Sequence, residues 1–122
     1  MERLNTAMKN EFFFEAVFLE YALLQDRIEA ALRFEGNSIS TKEGDPSPSL
    51  TRQISKVKTI AREKKGISSR YFTEELLDEC AEWAKTRNNF VHALGSMKPD
   101  EIQQIQALAK EGHPLVKKLM TK

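Results

Sequence analysis

Thr73-Glu74-Glu75-Leu76-Leu77-Asp78-Glu79-Cys80-Ala81-Glu82-Trp83-Ala84-Lys85-Thr86-Arg87-Asn88-Asn89-Phe90-Val91-His92-Ala93-Leu94 is the stretch on which the fold turns. Thr73 offers a capping hydroxyl, Glu74 and Glu75 put acids in a first turn, and Gly95 follows the run. Together they read as one helix over residues 73–94. At about 100° per residue, Leu76, Cys80, Trp83, Phe90, Val91 and Leu94 gather into an ordinary apolar stripe. Arg87 falls near the middle of that stripe, where the pattern calls for another leucine. Glu75, Asp78, Glu79, Glu82, Lys85, Thr86 and Asn89 take the outer side. His92 lies about 140° round from Arg87, at the stripe's edge, and Asn88 stands between them, one turn before His92.

A guanidinium stays charged and costs several kcal/mol to bury unpaired, so an arginine on an apolar face requires a reason. Three readings are open. Glu20 interrupts the inner side of the first helix and could meet Arg87 across the core as a structural ion pair. The arginine could snorkel, its stem packed and its head in water. Or the stripe is incompletely covered there, and Arg87 is a phosphate ligand in a cleft.

The flanking sequence is also helical. A first helix is expected over residues 5–35, with Gly36 in the position of a stop. Its middle, Phe12-Phe13-Phe14-Glu15-Ala16-Val17-Phe18-Leu19, is apolar almost all round, which requires burial on more than one side. Its own bundle or a second subunit could supply that burial. Residues 12–18 could be a strand by composition, but the continuation through Tyr21, Leu24, Ile28 and Leu32 favours helix on length. Residues 36–49 hold turn formers and almost nothing apolar, and read as an exposed loop. A second helix over 50–65 sets Leu50, Ile54, Val57 and Ala61 on one face. Arg52, Lys56, Lys58, Arg62, Lys64 and Lys65 occupy much of the rest, against a lone Glu63, and Gly66 ends it. Pro99-Asp100-Glu101 opens a fourth helix, and Gly112-His113-Pro114 should break or kink it, leaving a tail helix over 115–120. There is no repeat and no hairpin chemistry. The expectation is an all-α, up-and-down bundle of four to five helices, in a single domain over residues 1–122.

Composition narrows the classes. The chain has 122 residues, 40% apolar and 30% charged, with a formal net charge of +1. It is one domain by length, and its overall charge makes no case for nucleic acid; a basic surface must come from local segregation. Cys80 is the only cysteine, which excludes an internal disulfide and a cysteine-rich zinc site. His92 and His113 are the only histidines and lie far apart, so no metal and no cofactor is expected. The start lacks a basic segment followed by an apolar one, and the apolar run over 12–24 is short and broken by Glu15 and Glu20. Neither a leader nor a membrane span is expected, and a cytoplasmic location is the default.

The hexapeptide Arg87-Asn88-x-x-x-His92, followed by Ala93-Leu94 and set late in the third helix of a compact helical chain, resembles the HEPN superfamily. That superfamily includes toxin ribonucleases, abortive-infection proteins and the RNA-cutting domains of some CRISPR effectors. With seven arginines and two histidines, a histidine five places after an arginine arises by chance in about one such chain in nine. Asn directly after the arginine lowers this to well under one in a hundred, roughly, treating positions as independent.

The resemblance implies a HEPN-like bundle and a metal-independent endoribonuclease that works as a homodimer, with two motif copies facing across the symmetry axis. It implies that Arg87 binds the scissile phosphate and that His92 transfers a proton to or from the ribose 2′-hydroxyl or the leaving 5′-oxygen. Asn88 would orient His92 or bind phosphate. RNA would be the substrate, in a toxin, phage-defence or stress role, with an antitoxin or a nucleotidyltransferase as a possible partner. The toxin subgroup paired with a nucleotidyltransferase commonly carries a tyrosine two places after the histidine. Leu94 stands there, so regulation through that tyrosine is not expected.

The basic second helix could clamp an RNA backbone through Arg52, Lys56 and Arg62, joined by Arg70, or could be a solvated face. Tyr71 and Phe72 could stack on bases, or could staple the next helix to the core. His113 reads as a turn residue. The competing function is a non-catalytic helical interaction or nucleotide-binding module that keeps the motif as a structural element.

Overall fold

The computed structural model describes residues 1–34, 49–64 and 72–120, and everything it describes is helix or short connection. The helices are α1 (Glu2–Lys9), α2 (Phe13–Phe34), α3 (Leu50–Lys64), α4 (Glu74–Ala93), α5 (Pro99–Ile102) and α6 (Gln104–Met120), with a 3₁₀ turn at Leu94–Ser96. The all-α expectation holds. In the long helices, α2 packs on α3, α3 on α4, α4 on α6 and α6 back on α2, a closed ring around one core. Leu24, Ile28, Ile54, Val57, Leu77, Cys80, Leu108, Val116 and Leu119 fill it. Trp83 ties α4 to α6, its indole N–H donating to the Leu108 carbonyl at 2.9 Å inside the core. Among the described residues, no helix is long and apolar enough to cross a membrane.

The first helix is two helices. α1 ends at Asn10, and Glu11 adopts a left-handed backbone with φ of 60°. The Phe12 amide then returns to the Ala7 carbonyl at 2.8 Å and the Glu11 amide to Met8 at 3.2 Å. This is a Schellman ending with glutamate where glycine or asparagine usually stands, which is why the sequence pattern conceals it. The break folds Leu4 and Ala7 of α1 onto α2, covering part of an apolar surface that one straight helix would have exposed.

α4 follows the sequence closely. Thr73 is its cap, the hydroxyl accepting from the Leu76 amide at 3.1 Å, and the helix ends at Ala93. Pro99 opens α5 as expected. The break expected at Gly112-His113-Pro114 does not occur: α6 runs through Pro114 to Met120. Gly112, Leu115, Val116 and Leu119 are all buried on its inner side, and that packing outweighs the single backbone hydrogen bond proline removes. The chain breaks earlier instead, at Gln103 between α5 and α6.

Residues 36–48 of the expected loop lie outside the described residues. Ser49 does not behave as loop: its hydroxyl accepts from the Arg52 amide at 3.3 Å and so caps α3. On α3 the expected positions Leu50, Ile54 and Val57 are buried. Gln53 is buried with them and bridges to α2, donating to Glu29 at 2.9 Å and accepting from Gln25 at 3.2 Å.

Candidate functional site

Arg87 and Asn88 sit half-buried in the penultimate turn of α4, and His92 is exposed in its last turn. The anticipated Arg87–Glu20 ion pair does not form. Glu20 is wholly buried on the inner side of α2, and neither of its carboxylate oxygens has a hydrogen-bond partner. Its nearest surroundings include Trp83 and the backbone of Gly112, where an added Cβ would come within 2.6 Å of Oε1. Removal from water pushes its carboxyl from an ordinary 4.5 up to about 9, so at neutral pH it is an uncharged acid with nothing to offer a guanidinium.

Arg87 turns to a different part of α2. Its guanidinium carbon lies 4.1 Å from the centre of the Tyr21 ring and 5.3 Å from that of Phe18, within cation–π range. Tyr21 is fixed in turn by α3, since its hydroxyl accepts from the Leu50 amide at 3.3 Å. Nη1 of Arg87 donates to Asn88 Oδ1 at 3.0 Å, whereas Nε is buried without an acceptor. Arg87 is therefore a cation cushioned by aromatic rings and one neutral amide, and no carboxylate among the described residues is paired with it. Nearby, Phe14 of α2 meets Phe90 of α4, ring centres 6.3 Å apart.

The structure thus joins Arg87 to Asn88. His92 lies one helical turn beyond Asn88, and no hydrogen bond between His92 and either residue is present among those described. His113 is not a turn residue; it lies within α6 and its Nε2 is 2.9 Å from Asn5 Oδ1 of α1. Cys80 is buried, which pushes its thiol up to about 12 and leaves it unsuited to nucleophilic work.

The basic helix is less free than its sequence suggests. Lys58 pairs with Asp78 and Arg62 with Glu74, so two of its cations are directed at the acidic side of α4. Arg52 and Lys56 are exposed, whereas Arg70 and Tyr71 lie outside the described residues. Phe72 is buried, as a staple would be. The other flank of α4 opposes α6 across an open groove of about 1020 Å³, lined by Glu75, Asp78, Glu79, Glu82 and Glu111 among others. Lys110 and Lys118 stand among these carboxylates, so that flank is mixed in charge with acids in the majority.

Sequence reading missed the aromatic cushion. The all-round apolar run in α2 was its signal, because Phe14, Phe18 and Tyr21 recur at helical spacing, the first two exposed and Tyr21 at the edge of the core. Comparison with family models, with curated proteins and with solved structures finds no match. The case for function therefore rests on the chain's own residues.

Proposed function

We propose that the chain is a HEPN-type endoribonuclease that cuts RNA through attack of the ribose 2′-hydroxyl. The observation that carries this reading is Arg87, a half-buried guanidinium in the motif with no acid partner among the described residues. A closed pair with Glu20 would have made the motif architecture, and that pair is absent.

In this reading Arg87 holds the scissile phosphate through its planar fork and stabilises charge building on the non-bridging oxygens. Asn88 steadies the guanidinium from its flank. His92, exposed beside them, moves a proton: it takes one from the 2′-hydroxyl as that oxygen bonds to phosphorus, or gives one to the 5′-oxygen as the P–O5′ bond breaks. The products are a 2′,3′-cyclic phosphate and a 5′-hydroxyl, and DNA, lacking the nucleophile, is spared. Acid and base work at one phosphate needs two groups, while each chain brings one motif histidine and His113 is engaged with Asn5. A homodimer supplies the second. No step calls on a metal, and the cytoplasm, where RNA is at hand, is the natural setting. A toxin or phage-defence role, and an antitoxin or nucleotidyltransferase neighbour, follow from the family resemblance.

A second reading has its own support. Phe14 and Phe18 are exposed large hydrophobics beside the motif, Phe14 against Phe90 and Phe18 under Arg87, as suits a non-catalytic module that docks on another protein. Incubation with single-stranded RNA in EDTA separates the two. Cutting by the wild type, lost in His92→Ala at equal foldedness, supports the nuclease. Inert wild type, or equal cutting by the variant, supports the docking module.

A further inference from the structure

The face that carries Arg87 is at once apolar and charged. Phe14 and Phe18, one turn apart on α2, are 39% and 52% exposed. Arg87 lies over the Phe18 ring with Nε lacking an acceptor and Nη1 bound to a neutral amide. From Trp83 to Leu94, α4 contains no acid, and the one acid between Phe12 and Leu19, Glu15, is turned to Arg3 of α1 at 3.6 Å. Glu20 is buried and uncharged. Among the described residues, the charge on Arg87 has no counterion.

We infer that this face is the contact between two copies of the chain, and that an anion of the phosphate class, held by Arg87, is required to close it. The choice of a second copy rests on the nuclease reading, in which one chain is incomplete for want of a second histidine. A two-fold contact sets the same patch against itself. The exposed phenylalanines favour that union, but it also brings two guanidinium groups together and strips their water, with no carboxylate on either side to compensate. A phosphate, or the phosphodiester of an RNA strand, accepts hydrogen bonds from both forks and supplies the missing charge. By linkage the anion tightens the dimer as much as the dimer tightens the anion. The chain then assembles its paired site where a phosphate already lies.

The test is sedimentation of the full chain in three buffers of equal ionic strength: chloride alone, chloride with inorganic phosphate, and chloride with a 2′-O-methyl dinucleotide that resists cutting. The wild type is expected to be largely monomeric in chloride. Its dimer dissociation constant should fall roughly tenfold or more with phosphate or the dinucleotide, and the stronger of the two arms identifies free phosphate or phosphodiester as the ligand. Arg87→Leu, which removes the charge and keeps the apolar surface, should dimerise alike in all three buffers. Phe18→Ser should stay monomeric in all. A wild type whose association is the same in every buffer overturns the inference, and so does an Arg87→Leu variant that keeps the wild type's dependence on phosphate or the dinucleotide. RNA cutting by the same preparations separates the two claims. Anion-dependent dimers that cut no RNA leave the inference standing and sink the nuclease. Cutting by a chain that is dimeric in chloride does the reverse.

Discussion

Helix α2 meets two polar anomalies, its own Glu20 and the Arg87 that α4 lays on the neighbouring Phe18 and Tyr21, and they are resolved in opposite ways. On its inner side Glu20 is sealed against Gly112 and Trp83 with both oxygens unsatisfied. At the edge of the core, Tyr21 and the exposed Phe18 receive Arg87 from α4. The carboxyl surrenders its charge because a proton is available from water at modest cost. The guanidinium has no such escape, its pKa being too high, so it stays ionised and settles on aromatic faces at the edge of solvent. Two groups that could have neutralised each other instead face different media. The inner one is a burden on stability, and the outer one is a charge left free for an anion.

The sharpest way to test the inner half of the comparison is pH. Above its ordinary 4.5 the unfolded chain has released the Glu20 proton, while the folded chain keeps it until about 9. Folding thus takes up a proton in that window, and stability falls as pH rises through it, by about 1.4 kcal/mol per pH unit at most from this residue. Urea unfolding of the wild type and of Glu20→Met between pH 5 and 9 should show the slope in the former and its loss in the latter. Parallel profiles would mean that Glu20 finds a partner in the folded state.

Crowding the same spot should be the next largest effect. Gly112→Ala places a methyl group within 2.8 Å of both the Glu20 carboxyl carbon and the Trp83 ring. It should cost on the order of 1–3 kcal/mol through overpacking, despite alanine's better helix propensity, read as a lower denaturation midpoint.

The outer half predicts something smaller. Arg87→Met should change stability by about 1 kcal/mol or less, since it forfeits only a stacked cation and one neutral hydrogen bond. A loss of roughly 3–5 kcal/mol would reveal a buried ion partner after all. The smallest change concerns the junction that delivers α2 to Arg87. Glu11→Gly should raise stability by about 0.5–1 kcal/mol, because glycine accepts the left-handed backbone at φ 60° without penalty. A thermal melt would register the rise; a fall would mean the Glu11 side chain makes a contact that matters.

These same positions show what could be read from the sequence. α4 was legible almost to the residue, because Thr73, the acids after it and the apolar stripe all pointed the same way. The oddity of Arg87 was visible from its place in the stripe. Its resolution was not, since a helical projection gives direction on one helix and says nothing of which residue of another helix stands opposite. The break at Glu11 escaped because glutamate is a poor signal for a left-handed turn. The break expected at Pro114 failed because tertiary packing along Gly112, Leu115 and Val116 overrode a local rule. Arg62 and Lys58 were legible as basic and illegible as ion-paired, for their acids lie on α4.

The central claim is that Arg87 and His92 act on an RNA phosphate, and one assay addresses it directly. End-labelled single-stranded RNA and its all-deoxy counterpart are incubated in EDTA with the wild type, with His92→Ala and with Arg87→Ala, and the new termini are identified. The wild type should cut RNA alone and leave 2′,3′-cyclic phosphate ends. Each variant should lose on the order of 10²–10⁴-fold in rate while remaining folded. Cutting of the deoxy strand, or undiminished cutting by His92→Ala, would contradict the account.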